Sequence, residues 1–359
     1  MKFKDALTHY QAGTATEEEA VYVEEELEKT QLIAEYLDED WGTDHAQIPP
    51  DYQKVRKKLR RSRLIFILIP ILVIALVAAL LPYSNAFFYD PTTQTYETFA
   101  SDLDLYLTAY TELFHPGYVY YHTLVNRTGI GNYQLDLIRW GKNTGKQEYC
   151  SAAVEKGNAT LSHDFLNSAL SMNIIARASY PVYDMEPEHK AQIRQRLEQL
   201  PDYIEVTAAL SFPEDHAIAW LLEFQEQLDG FVTWAGIRNA PEDQQRYPLC
   251  GMNLHTSGVV HEQINETYPA FETADLEQTP EMWVQHFESL LQYMVAHPEI
   301  TDVMGLERTR YYEDVLASVR EAGVMSYGCV VTTTAQELLR LLDENIVTQV
   351  WPMEAEIQF

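Results

Sequence analysis

An uninterrupted apolar run, Leu64 to Leu81, constrains this chain more than any other feature. It holds 18 residues without a polar side chain. As a helix it would rise about 27 Å, close to the ~30 Å hydrocarbon thickness of a bilayer. Pro70 falls in its first third and would kink it, which lipid tolerates better than water does. Lys54, Arg56, Lys57, Lys58, Arg60, Arg61 and Arg63 precede the run, and Pro82-Tyr83-Ser84-Asn85 follow it. That asymmetry predicts a single-pass cell-membrane protein with its amino terminus cytoplasmic and its carboxy-terminal domain extracytoplasmic. The seven cations would lie on anionic headgroups. Ser84-Asn85-Ala86 has the small-x-small form of a cleavage site, which keeps release as an alternative.

Charge divides the chain in the same places. The 359 residues carry a formal net charge of −29. Residues 1–51 hold a net of −11, residues 52–63 a net of +7, residues 64–82 none, and residues 83–359 a net of −25. A chain this acidic lacks the basic footprint of direct nucleic-acid binding. The expected organisation is a helical head over 1–50, a basic juxtamembrane segment over 51–63, a transmembrane helix over 64–82 and an extracytoplasmic domain over 83–359. The last has 83–180 and 181–359 as subregions.

The head reads as two helices. Phe3, Ala6, Leu7 and Tyr10 recur at i, i+3, i+4 and i+7. Gly13 follows as a stop. Thr16 opens a second helix with Glu19 three residues on, a capping box. Glu17, Glu18 and Glu19 set negative charge on its positive end. Ala20, Val23, Leu27, Thr30, Ala34 and Leu37 continue it to about Leu37, with Val21, Ile33 and Tyr36 widening the apolar stripe. Two helices alone cannot hide that much apolar surface. The expectation is a self-associating hairpin, or one completed by a partner held helix in groove.

Lys2-Phe3-Lys4 and the run Tyr10-Gln-Ala-Gly13-Thr-Ala-Thr16-Glu-Glu-Glu19, with Glu24-Glu-Glu-Leu27-Glu-Lys29 and Tyr36-Leu-Asp-Glu39, resemble the amino-terminal segment of membrane anti-sigma factors. The type is the sigma-M regulators of Gram-positive bacteria. The resemblance implies a negative regulator of transcription that binds a cytoplasmic extracytoplasmic-function sigma factor, sequesters it at the membrane and releases it on an envelope signal. It leaves room for a second membrane protein as co-regulator. By matching position, Phe3, Leu7 and Tyr10 on the first helix and Val23, Leu27 and Leu37 on the second would form the apolar contact. Many such heads carry a His-x3-Cys-x2-Cys zinc motif; this one has no cysteine before Cys150. The resemblance therefore implies no metal and no cofactor.

The larger region holds 19 of the 23 tyrosines, which are expected to be mostly core. Tyr118 to Trp140 reads as two strands about a turn at 128–132. Phe87-Phe88-Tyr89-Asp90-Pro91 would sit at the membrane interface or start the fold. Two blocks then share an αβαβ order: Glu188–Leu200, Tyr203–Phe212, Glu214–Leu228, Gly230–Arg238, and Arg308–Ala322, Val324–Thr333, Thr334–Glu344, Ile346–Glu356. Val232-Thr-Trp234 in the first is echoed by Val347-Thr-Gln-Val-Trp351 in the second. The expected fold class is α+β: a small cytoplasmic hairpin, one transmembrane helix, and a large ectodomain with two αβαβ, ferredoxin-like halves. This order is similar to the carboxy-terminal region of the same regulators.

Signals for chemistry are sparse. GxSxG, GxxxxGK[ST], HExxH and GxGxxG are all missing from the sequence. His255, His261 and Glu262 form the densest polar cluster, and it reads as an exposed loop in preference to a metal or hydrolytic site. Cys150, Cys250 and Cys329 show no CxxC spacing and read as buried thiols. No catalytic residue is expected. An envelope hydrolase and a bitopic scaffold stand as the rival readings.

Overall fold

The computed structural model describes residues 2–41, 57, 67–77, 88–96, 100–141, 145–166, 186–239, 250–254, 262–306 and 309–357. Side chains at 37–41, 262–263 and 354–357 lie outside the description. The chain divides into two compact units, Met1–Leu80 and Leu81–Phe359.

The first unit holds α1 (Phe3–Gln11), α2 (Glu17–Trp41) and α3 (residues 67–77). Here the sequence reading is corrected. No helix among the described residues is long and apolar enough to cross a membrane. The described part of the Leu64–Leu81 run is the 67–77 helix, which rises only ~16 Å at 1.5 Å per residue, about half the hydrocarbon thickness. This overturns the transmembrane element of the expected fold class and the single-pass localisation drawn from it. Of the seven cations ahead of the run, Lys57 alone is described, and it is exposed. Lys54, Arg56, Lys58, Arg60, Arg61 and Arg63 lie outside the described residues.

The second unit is mixed α/β with two antiparallel sheets. Residues 88–91 start it: Pro91 is buried and Tyr89 packs against the core. α4 (Asp102–Phe114) opens on a capping box in which Ser101 Oγ accepts the Asp104 N–H at 3.1 Å and Asp104 Oδ2 accepts the Ser101 N–H at 3.2 Å. The other Asp104 oxygen accepts the Thr123 N–H at 2.7 Å, fixing α4 to the first strand. That strand, β1 (Tyr118–Gly129), leads a meander of β2 (Asn132–Gly141), β3 (Gln147–Glu155) and β4 (Asn158–Leu161), in that spatial order. The strict alternation of β2 turns Tyr133, Leu135 and Leu137 into the core. Arg139 follows them inward and is satisfied there. It pairs with Glu148 at 2.9 Å, donates to the Asp164 carbonyl at 3.0 Å and lies 4.1 Å above the Tyr118 ring. Asp164 belongs to the short α5 (His163–Leu166).

The remaining elements are α6 (Pro187–Leu197), β5 (Ile204–Ala217), α7 (Ile218–Gln227), β6 (Gly230–Ile237), β7 (Gly251–Met252), α8 (Glu262–Thr267), α9 (Pro280–Ala296), α10 (Pro298–Met304), α11 (Thr309–Ala322), β8 (Met325–Thr334), α12 (Ala335–Asp343) and β9 (Gln349–Ile357). Their sheet order is β7-β6-β8-β5-β9. β5 and β6 both run antiparallel to β8, and β8 and β9 both run antiparallel to β5. Two β-α-β units, β5-α7-β6 and β8-α12-β9, are thus interleaved, the ferredoxin-like arrangement. β7 adds an edge strand, and α8 to α11 are inserted between the two units. The two αβαβ blocks do not form separate halves, because each supplies one central and one outer strand to the same sheet.

Trp234 and Trp351 occupy matching places in this sheet. Trp234 stands opposite Val330 and Trp351 opposite Ala209, so one row of side chains crosses four strands on one face. Trp234, Ala209, Val330 and Tyr327 on that face are fully buried together. The other face, with Val206, Leu210, Val232 and Val331, packs against Leu221 and Phe224 of α7 and Leu338 and Leu341 of α12 in the main core. The tyrosines are largely core, as their number suggests. Tyr106 donates to Thr301 Oγ1 at 3.1 Å and Tyr293 to the Asp102 carbonyl at 3.0 Å, which staple α4 to α10 and α9.

Gly251 lets β7 reach β6. A Cβ there would collide with the Ala235 carbonyl and the Trp234 ring. Gly251→Ala is expected to lower stability by about 1–3 kcal/mol, as overpacking does, read as a drop in the thermal midpoint. His115 gives a second prediction. Burial, and then the nearby Arg139 charge, hold its pKa down to about 3. The unfolded chain takes up this proton near pH 6.5 and the folded chain does not, so stability falls as pH drops from 6.5 towards 3. The His115 imidazole resonances should not titrate between pH 4 and 8.

Candidate functional site

The hairpin of the first unit is built from short-range signals. Gly13 takes a left-handed conformation (φ +70°) that ends α1. The capping box then forms as its residues predict: Glu19 Oε2 accepts the Thr16 N–H at 2.9 Å, and Thr16 Oγ1 accepts the Glu19 N–H at 3.3 Å. Those contacts hold the Glu19 carboxyl below its usual range, the Thr16 N–H being the main cause and His9 the next. His9 Nδ1 lies 3.1 Å from Glu19 Oε1, Tyr10 donates to Glu24 Oε1 at 3.0 Å, and the Phe3 ring meets the Tyr22 ring edge-on at 6.3 Å. These three contacts clamp α1 along the first half of α2.

The lengths of the two helices leave a surface uncovered. α1 has 9 residues and α2 has 25, or roughly 14 Å against 37 Å. Ala6 and Val23 are fully buried where α1 lies on α2. Past that point Leu27, Leu32, Ile33 and Tyr36 are 47–69 % exposed. Four large apolar side chains on one free stretch of helix make a surface that a solvated helix does not need. Beside the clamp, Glu17, Glu18, Val21, Tyr22 and Glu25 line a shallow groove of about 350 Å³. Leu32, Ile33 and Tyr36 thus form an apolar ridge that continues the side of the acidic groove, while Leu27 lies on the side of Val23.

The six contact residues expected from the sequence separate on this frame. Phe3, Tyr10 and Leu27 are exposed and Leu7 is half-buried. Val23 is consumed by the hairpin's own packing. The side chain of Leu37 lies outside the described residues. Leu32 was not among the expected residues, although its spacing from Val21, Glu25 and Tyr36 puts it on the same length of helix. α2 also runs past the expected end at Leu37 to Trp41.

The second unit offers little for chemistry. His255 and His261 lie outside the described residues. Among the described residues, no group of three His, Cys, Asp or Glu side chains is placed to hold a metal. Cys150, Cys250 and Cys329 are free and buried, and burial pushes the thiols of Cys150 and Cys329 above their ordinary value. Neither is the low-pKa thiolate a nucleophile requires.

The interleaved sheet with its inserted helices defines a domain without evident catalytic apparatus among its described residues. Residues 197–350, from the end of α6 into β9, match the model of a family described as sigma factor regulator C-terminal. The match covers less than half of the chain and supports a sigma factor regulator, a regulatory rather than catalytic class. No curated protein and no solved structure matches the chain.

Thr16→Ala removes an N-cap acceptor and is expected to cost about 1 kcal/mol of helix stability. Backbone resonances of residues 17–20 should shift towards coil values while those of the second unit stay fixed.

Proposed function

We propose that the chain is an anti-sigma factor that sequesters an extracytoplasmic-function sigma factor on its amino-terminal hairpin. The observation that carries this reading is the bare ridge of Leu32, Ile33 and Tyr36 on α2, with Leu27 also bare on the side of Val23 past the end of α1. Phe3, Leu7 and Tyr10 extend the apolar contact along α1. The resemblance of residues 2–39 to anti-sigma heads and the match of residues 197–350 to a sigma regulator family support the same reading from opposite ends of the chain.

The physics of the encounter is complementary. A sigma factor binds DNA through basic surfaces. The acidic groove beside the ridge would steer those surfaces towards the hairpin, and the ridge would hold them by apolar burial. Bound there, the sigma factor is kept from polymerase and promoter. An envelope signal would release it.

Co-expression of the full chain with extracytoplasmic-function sigma factors, each with a reporter for its own promoter, tests the proposal. The wild-type chain should co-purify with one of them and silence its reporter. Leu27→Asp should weaken binding at least tenfold and restore reporter output with the fold intact, because a buried carboxylate at such an interface costs several times RT. Full repression by Leu27→Asp together with Leu32→Asp would contradict the contact surface.

A further inference from the structure

Two groups converge on the carboxylate of Glu112, near the C-terminal end of α4, and a third on its backbone carbonyl. Glu112 Oε1 lies 2.8 Å from Nε2 of His286, on α9. The same oxygen accepts the N–H of Asn253, next to β7, at 3.0 Å. The Glu112 carbonyl accepts the indole N–H of Trp234, on β6, at 2.8 Å. The second ring nitrogen of His286, Nδ1, lies 2.8 Å from the Ala270 carbonyl, in the connection between α8 and α9. His286 is only 2 % exposed.

These contacts fix a proton count. A carbonyl oxygen only accepts, so Nδ1 carries a hydrogen. The contact between Nε2 and Oε1 needs one further proton between them. On nitrogen or on oxygen, it makes imidazole and carboxyl a single neutral unit that titrates as a pair. Removing it turns a lone pair of Nε2 towards a carboxylate in a water-poor site, which loses a charge-assisted bond and adds repulsion.

Other charges near α9 are spent elsewhere. Glu288 of α9 pairs with Arg320 of α11 at 3.1 Å on the surface. Glu223 and Glu226 of α7, and Glu299 and Asp302 of α10, are exposed. Glu272 follows Ala270 in the same connection and is half-buried. Asp102 and Asp104 stand at the far end of α4, eight or more residues from Glu112 and so about 12 Å or more along its axis.

We propose that the proton shared by Glu112 and His286 is a pH-operated clasp, which holds the end of α4 to β6, β7 and α9 and lets it go when the surroundings turn alkaline. The clasp joins α4, which precedes the family-matched residues 197–350, to three elements inside them. It is therefore placed to pass a proton-dependent loosening through the larger unit, and it stands whether or not the hairpin binds a sigma factor.

The sign follows from the opposed influences on His286. Burial lowers its pKa, but the Glu112 charge and the bonds to Glu112 and to the backbone at Ala270 and Phe271 outweigh it, and the pKa is raised above 6.5. The clasp's stabilisation is complete below the unfolded value of about 6.5 and is lost as pH rises through the folded value.

Exchange of the Trp234 indole N–H for deuterium in the full chain, followed by NMR from pH 6 to 9, tests this. Base-catalysed exchange by itself accelerates about tenfold per pH unit, and clasp opening adds up to roughly another tenfold per unit between the unfolded and folded pKa values. The wild-type protein should show that excess slope, and its His286 ring should titrate above pH 6.5. Glu112→Gln, whose amide still accepts from Asn253, should lose the excess. A wild-type slope of tenfold throughout, or a His286–Glu112 pair that has already lost its shared proton at pH 6.5, would overturn the clasp even if the variant does not fold. An equal excess in the folded Glu112→Gln variant would do the same.

Discussion

The second unit depends on the pairing of β5 with β8. These two strands sit at the centre of the five-stranded sheet, and each leads through its own helix to an outer strand on the far side of the other. Neither β-α-β unit can close a sheet without the other's strand between its own two. Nine positions from Glu205 to Ala217 are paired with Met325 to Thr334, and Thr207 and Thr332 join across the pair at 3.1 Å on the face that also buries Trp234. The insertion of α8 to α11 between the two units is tolerated because loop-closure entropy grows slowly with length. α9 then repays the insertion by packing against α4, α7, α10 and α11 in the main core.

The hairpin obeys a different constraint. It has no sheet to anchor it, and its stability comes from a cap, three cross-helix contacts and the burial of Ala6 and Val23. That is a small core, and it stops where α1 stops. α1 has 9 residues against 25 in α2, and past its end Leu27, Leu32, Ile33 and Tyr36 stay wet.

Local features were legible in the sequence. The Thr16–Glu19 capping box, the Gly13 stop, the β1–β2 hairpin and the αβαβ order of both blocks all follow from residues a few places apart. What was not legible is non-local. The interleaving of the blocks rests on β5 finding β8, more than a hundred residues away. The Glu112–His286 contact spans 174 residues. The apolar stripe on α2 showed which side chains avoid water but not that α1 would consume Val23 and leave Leu32 free. The membrane span was read from composition and flanking charge, which say nothing about how much of the run forms one helix; the described helix over 67–77 is too short to cross. The echo of Trp234 in Trp351 did carry real information, because the two residues stand at matching places in one sheet.

The central claim is that a sigma factor docks on the free length of α2 and not on the larger unit. Amide hydrogen exchange of the full chain, with and without a purified extracytoplasmic-function sigma factor, tests it most directly. The account predicts new protection across residues 3–11 and 20–36 at one-to-one stoichiometry, strongest from Leu27 to Tyr36. Binding with that stretch unprotected and protection confined to residues 88–357 would contradict it.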